Sequence, residues 1–334
     1  MPTIDLETTV DSDFDPQTWD MVGSLQLSTQ LNSGDVLADL ADTRSDICVL
    51  TADLGRPTKV YSFRQRHPDR YFNFGIAERN MISAAAGLAA VGMKPYVSGY
   101  ACFLALIATE NIRTDIGYTN LPVRMLGTNS GIAMGFYGTS HHATEDIGML
   151  RSIANLTILA PVDALSLQQA IEKTIDHPGP VYIRLGRGRG DAVYSGPIPD
   201  WRIGGSMQRR DGTDATIFAT GICVETATQA AELLASEGIQ VRVLDMYSLK
   251  PLDQEAVVRA AQETKRLFTA EEHNVIGGLG AAVSEVLAEI GAAARLTRIG
   301  LPDVYSILGP PTHLYHHYGL DAEGIANTIR QNLA

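Results

Sequence analysis

The sequence predicts an α/β protein built from two parallel-sheet units, and three observations carry that prediction. Short β-branched runs alternate with helical stretches along most of the 334 residues, the pattern of parallel strands covered by helices on both faces. Hydrophobic residues make up 45% and charged residues 19%, enough for a real core and too apolar for wholesale disorder. The alternation stops once, in a stretch rich in glycine, arginine and proline, and then restarts, which divides the chain in two.

Taken in order, residues 1–22 carry several Asp and Thr with little periodicity and read as an N-terminal arm. In the first unit, 23–190, Leu27, Leu31, Val36, Leu37 and Leu40 fit a helix loosely. Strands follow at Ile47–Leu50 and Tyr71–Phe74, then a small-residue helix from Glu78 to about Val91. Pro95–Val97 and Val123–Leu126 are strands on either side of a helix from Leu104 to about Ile116. Leu156–Leu159, a helix from Asp163 to about Asp176, and Val181–Ile183 close the unit. Residues 191–213 continue the Gly-Arg-Gly-Arg-Gly run with two prolines and more glycines, the composition of a linker. In the second unit, 214–334, strands at Ala215–Ala219, Val241–Leu244, Leu267–Ala270 and Leu296–Ile299 alternate with helices at Glu225–Ser236, Gln254–Gln262, Gly280–Ile290 and Glu323–Asn332.

Lysine and arginine total 26 against 38 acidic residues, a net charge of −12. An acidic chain repels phosphate backbones, which argues against nucleic acid as a partner, although a few local arginines can still hold a small anion. Cys48, Cys102 and Cys223 are far apart with no CxxC spacing, which argues against a disulfide scaffold or a zinc site. The N-terminal residues lack a signal-peptide pattern and no apolar run has membrane-spanning length, so a cytoplasmic location is expected.

Four segments carry candidate chemistry. Gly75-Ile76-Ala77-Glu78 puts a carboxylate at the opening of a helix just past a strand end, where sites gather in parallel sheets. On spacing alone, a first-turn glutamate stabilised by the helix dipole is the plainer reading. Gly135–His142 is a glycine-rich loop past another strand, and its histidine could serve as acid or base or be an ordinary surface residue. Arg184, Arg187 and Arg189 follow the strand at Val181–Ile183 and could clamp an anion, although a solvated linker accounts for at least Arg189. Thr312–His317 superficially suggests metal ligands but has no carboxylate or cysteine at matching spacing. Neither GxGxxG after a strand nor GxxxxGK[ST] occurs.

Seven ordered segments give these pieces a context. They are Thr51-Ala52-Asp53-Leu54-Gly55, Phe72 to Met81, Ala84 to Ala89, Glu110-Asn111-Ile112-Arg113, Gly179 to Arg187, Lys250-Pro251-Leu252-Asp253 and Glu271 to Gly280. From about Leu27 onward the chain resembles the C-terminal half of transketolase, and more closely the second subunit of split transketolases, in which one enzyme is encoded as two chains. The resemblance implies a pyrimidine-binding domain followed by a transketolase C-terminal domain, and thiamine diphosphate as cofactor. It implies that Glu78 hydrogen-bonds N1′ of the aminopyrimidine ring, and so promotes loss of the thiazolium C2 proton. It further implies that Tyr100 and Phe103 stack on the pyrimidine, that Asp53 lies in the cofactor region, that His141 faces the substrate oxygens, and that Arg187 holds a substrate phosphate.

Three positions depart from the family pattern. Gln30 stands where an arginine binds substrate phosphate, Asn129 where a histidine approaches it, and Phe136-Tyr137 where an acidic pair reads a sugar hydroxyl. Such polar contacts set specificity, so the expected substrates are smaller or less phosphorylated than the ordinary pentose phosphates. The family's Gly-Asp-Gly motif, which holds the diphosphate and a Mg2+ or Ca2+ ion, is absent. A partner chain carrying it, in an α2β2 assembly, is the expectation. Two alternatives stay open: a β-subunit of a 2-oxo-acid dehydrogenase or carboligase that uses the same cofactor, and a non-catalytic paralogue.

Overall fold

Strand β1 (Ile47–Thr51) is apolar at four of its five positions and buried at all five, so it requires cover on both faces. In the computed structural model, which describes residues 33–187 and 192–333, β1 lies inside a seven-stranded sheet. It pairs in parallel with β2 (Tyr71–Asn73) on one side and β3 (Lys94–Tyr100) on the other. Beyond β3 come β4 (Arg124–Thr128), β6 (Val181–Arg184) and β5 (Thr157–Leu159), all parallel. The far edge is β10 (Ser248–Lys250), a strand of the second unit that pairs antiparallel with β5, giving the order β10-β5-β6-β4-β3-β1-β2.

The helices of this unit are α1 (Ser33–Thr43), α2 (Tyr61–Arg66), α3 (Glu78–Ala90), α5 (Asp146–Arg151) and α6 (Ala164–Thr174). Between β3 and β4 runs a helical segment over 102–117, in which a short α-turn, α4 (Thr109–Asn111), is flanked by π-turns at Cys102–Ile107 and Ile112–Gly117. Helix α6 starts at a reciprocal cap: the Ser166 N–H donates to Asp163 Oδ1 at 2.9 Å and the Asp163 N–H donates to Ser166 Oγ at 3.0 Å.

The second unit is a five-stranded sheet in the order β12-β11-β8-β9-β7. Its strands are β7 (Met207–Arg210), β8 (Ala215–Ala219), β9 (Val241–Asp245), β11 (Arg266–Asn274) and β12 (Arg295–Leu301), with only β7 antiparallel. Helices α7 (Cys223–Ser236), α8 (Gln254–Glu263), α9 (Leu279–Glu289), α10 (Pro311–His317) and α11 (Ala322–Leu333) cover it. No helix among the described residues is long and apolar enough to cross a membrane.

Four elements carry no clear periodic signal and emerge only in the structure: α2, β7, β10 and α10, the last formed by the Thr312–His317 segment. The sequences Met-Gln-Arg-Arg and Ser-Leu-Lys become β7 and β10 because neighbouring strands offer them unpaired edges. The glycine-rich segment before β8 is also packed. Tyr194, Ile198 and Trp201 are buried, and the Tyr194 hydroxyl donates to Asp245 Oδ2 at 2.6 Å. The N-terminal arm, Leu27, Gln30, Leu31 and Arg189 lie outside the described residues. One apolar core runs through both units, joining Leu150, Ile153 and Ile158 of the first to Leu249, Val257 and Leu279 of the second. Together with the shared β5–β10 pairing, it fixes the two units against each other.

Candidate functional site

Each described residue to which the family resemblance gives a role lies at or beyond the C-terminal end of a parallel strand of the first sheet, whereas the Thr312–His317 segment lies in α10 of the second unit. Asp53 follows β1, Glu78 follows β2, Tyr100 ends β3 with Phe103 just after it, Asn129 and His141 follow β4, and Arg187 follows β6. From β1 the chain passes to β2 on one side, and the later strands build outward on the other. Such a reversal is where parallel sheets form a crevice beyond the strand ends, and Asp53, Glu78, Tyr100 and Phe103 follow or end the strands β1, β2 and β3 that meet there.

Glu78 is placed there by helix geometry. The buried residues of α3 are Glu78, Met81, Ile82, Ala85, Ala86 and Ala89, spaced to form one stripe. The carboxylate therefore continues an apolar stripe at the helix opening, where the macrodipole favours negative charge. It is 6% exposed, and no hydrogen bond or ion pair among the described residues engages it. Upstream, Gly75 turns the chain at φ +66, a left-handed conformation that suits glycine. Asn73 braces that turn, its Oδ1 accepting from the Asp53 N–H at 2.9 Å and the Gly75 N–H at 3.1 Å, while its Nδ2 donates to Asp53 Oδ1 at 3.1 Å. Asp53 is thus tied to the strand end, in a left-handed conformation of its own.

Aromatic rings gather around His141. Its ring centroid lies 5.2 Å from Phe103, 6.3 Å from Tyr100 and 5.0 Å from Tyr137, and Tyr100 and Phe103 are 5.9 Å apart. Burial lowers the His141 pKa, which favours the neutral imidazole. Its Nδ1 pairs with Ser140 Oγ at 2.9 Å. Burial also raises the Tyr100 phenol and pushes the Cys102 thiol up to about 12, so neither ionises near neutrality. Asn129 is buried with φ +54. Arg187 Nη1 donates to the Ala133 carbonyl at 3.3 Å, which ties the end of β6 to the loop after β4.

Below this rim lies a polar network that includes Arg184, read from sequence as a possible anion clamp but here buried and paired with Asp146; spacing gave its other members no role. Asp146, fully buried, accepts from the Tyr182 hydroxyl at 2.9 Å and from Arg184 Nε at 2.9 and 3.1 Å. Arg184 Nη2 reaches the carbonyls of Ala143 and Glu272 at 3.2 and 2.9 Å. Glu271 accepts the Leu279 and Gly280 N–H groups at the start of α9, at 2.6 and 2.8 Å. Burial pushes its carboxyl up to about 7 against those bonds. His273 accepts the Gly148 N–H at Nε2, 3.2 Å, and donates from Nδ1 to the Asn274 carbonyl at 2.7 Å. Burial lowers it to about 4, so it is neutral. The available signal was the run Glu271-Glu272-His273 continuing a strand that begins Leu-Phe-Thr-Ala, because ionisable residues in a covered strand need internal partners.

A doubly wound sheet whose switch point carries a glutamate with no hydrogen-bond partner among the described residues, followed by a second parallel α/β unit, has a close counterpart among known families. Residues 26–191 match the transketolase pyrimidine-binding domain and residues 204–325 the transketolase C-terminal domain, and the chain belongs to the transketolase family. Within it, the chain is 40% identical over 294 residues to a subunit of the apulose-4-phosphate transketolase of Phocaeicola vulgatus, spanning 88% of this chain and 94% of that one. It is 37% identical over 297 residues to the 6-deoxy-6-sulfo-D-fructose transketolase subunit SqwH of a Clostridium species, spanning 89% and 92%. A solved split-gene transketolase, described as an inactive β4 tetramer, superposes with a TM-score of 0.83 at 40% identity over 92% of this chain and 98% of that one.

Proposed function

We propose that this chain is the second subunit of a split, thiamine-diphosphate-dependent transketolase, which transfers a two-carbon ketol unit from a ketose-type donor to an aldehyde acceptor. The observation that carries the proposal is Glu78: a buried carboxylate in an apolar stripe, at the strand-end crevice, with no partner among the described residues. A ring nitrogen of an aminopyrimidine is the partner such a carboxylate suits, and the nearby faces of Tyr100 and Phe103 suit a flat heterocycle, so the residues present fit the pyrimidine end of the cofactor. When bound, thiamine diphosphate supplies the nucleophilic carbon on which ketol transfer depends.

The chain's own residues then divide the work. Glu78 shares a proton with the pyrimidine N1′. Tyr100 and Phe103 orient the ring, and Asp53, braced by Asn73, lines the cofactor side of the crevice. His141, neutral among its aromatic neighbours, accepts or returns a proton at the substrate oxygens. Arg187 holds an anionic end of the substrate. The diphosphate and the Mg2+ or Ca2+ ion fall to a partner chain with the Gly-Asp-Gly motif that is absent from this sequence, in an α2β2 assembly. The description of the related β4 tetramer as inactive supports that division.

Gln30, Asn129 and Tyr137 tune substrate choice away from ribose 5-phosphate and xylulose 5-phosphate. The names of the two subunit relatives support a changed ketose, since apulose 4-phosphate and 6-deoxy-6-sulfofructose lie outside that pair, but both are anionic and so do not support a smaller or uncharged substrate. The test is kcat/KM of the complex assembled with a Gly-Asp-Gly partner, measured across phosphorylated and unphosphorylated pairs. We expect no turnover by the isolated chain, poor use of pentose 5-phosphates, and improvement on them in the Gln30→Arg/Asn129→His variant. Loss of two charge-assisted contacts of roughly 1.5–3 kcal/mol each puts the expected improvement at about two decades or more. A wild-type preference for pentose phosphates that the double variant does not raise overturns the substrate reading.

A further inference from the structure

We infer that Glu272 and Tyr315, both in the second unit, are positioning residues that set the geometry of the substrate loop 129–141 in the first. The inference rests on reading that loop as part of the ketol-transfer site, because it carries Asn129, Tyr137 and His141.

Glu272 is 2% exposed on β11, and its Oε1 accepts two hydrogen bonds: the Ile132 N–H at 2.8 Å and the Tyr315 hydroxyl at 2.7 Å. Gly131 has φ +64, and a Cβ there would overlap Glu272 Cδ, so the loop backbone lies directly against the carboxylate. The main chain of Glu272 is tied to the same loop. Its carbonyl accepts Arg184 Nη2, which also donates to the Ala143 carbonyl, and Ala143 exchanges two 2.9 Å hydrogen bonds with Gly131. The path Ile132–Glu272–Arg184–Ala143–Gly131 is therefore a closed ring with one member from the second unit.

Further contacts brace the same loop from the same side. A Cβ on Gly135 would meet the Gly309 carbonyl at 2.7 Å and Pro311 at 3.0 Å, and one on Gly138 would overlap the Leu308 side chain. Pro311 opens α10, the helix that carries Tyr315. One residue beyond Ile132, the Ala133 carbonyl receives Arg187. A shift of Ile132 therefore moves the Arg187 anchor and Asn129 together. Displacing groups that hold the substrate removes ground-state binding and so raises KM. Glu272 and Tyr315 act through the loop and touch no substrate.

The test pairs backbone hydrogen–deuterium exchange of the full chain with kinetics of the assembled enzyme. Glu272→Ala should speed exchange of amides in 129–141 by about tenfold or more while α7 and α11 keep their protection, since opening free energies differ locally. Glu272→Gln, which keeps an acceptor oxygen for Ile132, should restore protection. In the assembled enzyme, Glu272→Ala should raise substrate KM by about tenfold with a smaller change in kcat, the signature of lost ground-state binding, and Gln should return it towards wild type. Unchanged exchange of 129–141 in Glu272→Ala, or loosening spread evenly over the second unit, overturns the inference. Should Glu272→Ala fail to fold, Tyr315→Phe decides it: faster exchange confined to 129–141 supports the inference, and wild-type exchange overturns it. Absence of ketol transfer by the wild-type complex counts against the proposed function and leaves the exchange result standing as the measure of this inference.

Discussion

Glu78 and Glu272 are buried to nearly the same degree, at 6% and 2% exposure, yet their surroundings are opposite. Glu272 is bonded to Ile132 and Tyr315 and lies near Arg184, which Asp146 holds in turn. Glu78 has an apolar helix stripe around it and no partner among the described residues. A fully enclosed carboxylate without hydrogen bonds is costly, but the Glu78 oxygens are not among the fully enclosed unpaired atoms, so this carboxylate remains open to an incoming group. A carboxylate whose partners come from the chain itself holds the molecule together; one left without them is where a ligand completes the structure. Site and scaffold are thus distinguishable by what their buried charges lack.

The largest effect expected from this contrast is at Glu78. Glu78→Gln should lower turnover of the assembled enzyme by about 10²–10⁴-fold, the usual contribution of a positioned acid or base. The melting temperature of the chain should stay at the wild-type value, because no hydrogen bond among the described residues is lost. Wild-type rates of cofactor C2 proton exchange in this variant would show that Glu78 is not the proton-sharing group.

Asp146 should behave in the reverse way. Asp146→Ala strands Arg184 and Tyr182, both buried, and leaving a buried charge unpaired costs about 3–5 kcal/mol. Urea unfolding of the isolated chain is the measurement. A loss under about 1 kcal/mol would place this pair with surface ion pairs and dissolve the distinction between the two regions.

The smallest effect is one of pH. Burial raises the Glu272 carboxyl from 4.5 to about 7, against the pull of Arg184, Tyr315 and the Ile132 N–H and with the Asp146 charge adding to the rise. Between those values the folded chain keeps a proton that the unfolded chain has released. The stability this group contributes is therefore complete below about 4.5 and lost as pH rises through about 7. Glu272→Gln mimics the protonated form throughout. Its melting temperature should match wild type at the acid end and exceed it by roughly a few degrees above the upper value. His273, lowered to about 4, gives a slope of the opposite sign below neutrality. It is common to both proteins and cancels in the difference. A constant offset across the range would show that the Glu272 carboxyl does not titrate on unfolding as described.

Local sequence was sufficient for whatever depends on local chemistry. The alternation of β-branched and helical runs gave both parallel sheets, since a strand apolar at nearly every position, such as Ile47–Leu50, can only be covered on both faces. The glycine before Glu78 and the small-residue run after it gave a helix opening at a strand end with a carboxylate in its first turn. The motifs around them gave the family. What sequence could not give depends on partners distant along the chain. Strands β7 and β10 exist because neighbouring strands present free edges, not because their own residues favour extension. Glu271, Glu272 and His273 were visible as a charged run, but their roles required knowing that Ile132, Gly148 and Gly280 meet them. The gathering of Tyr100, Phe103, Tyr137 and His141 into one cluster likewise follows from the order in which β3 and β4 sit in the sheet. Sequence determines which residues can carry charge or bury surface; only tertiary contact determines which buried charges are satisfied and which are left for a ligand.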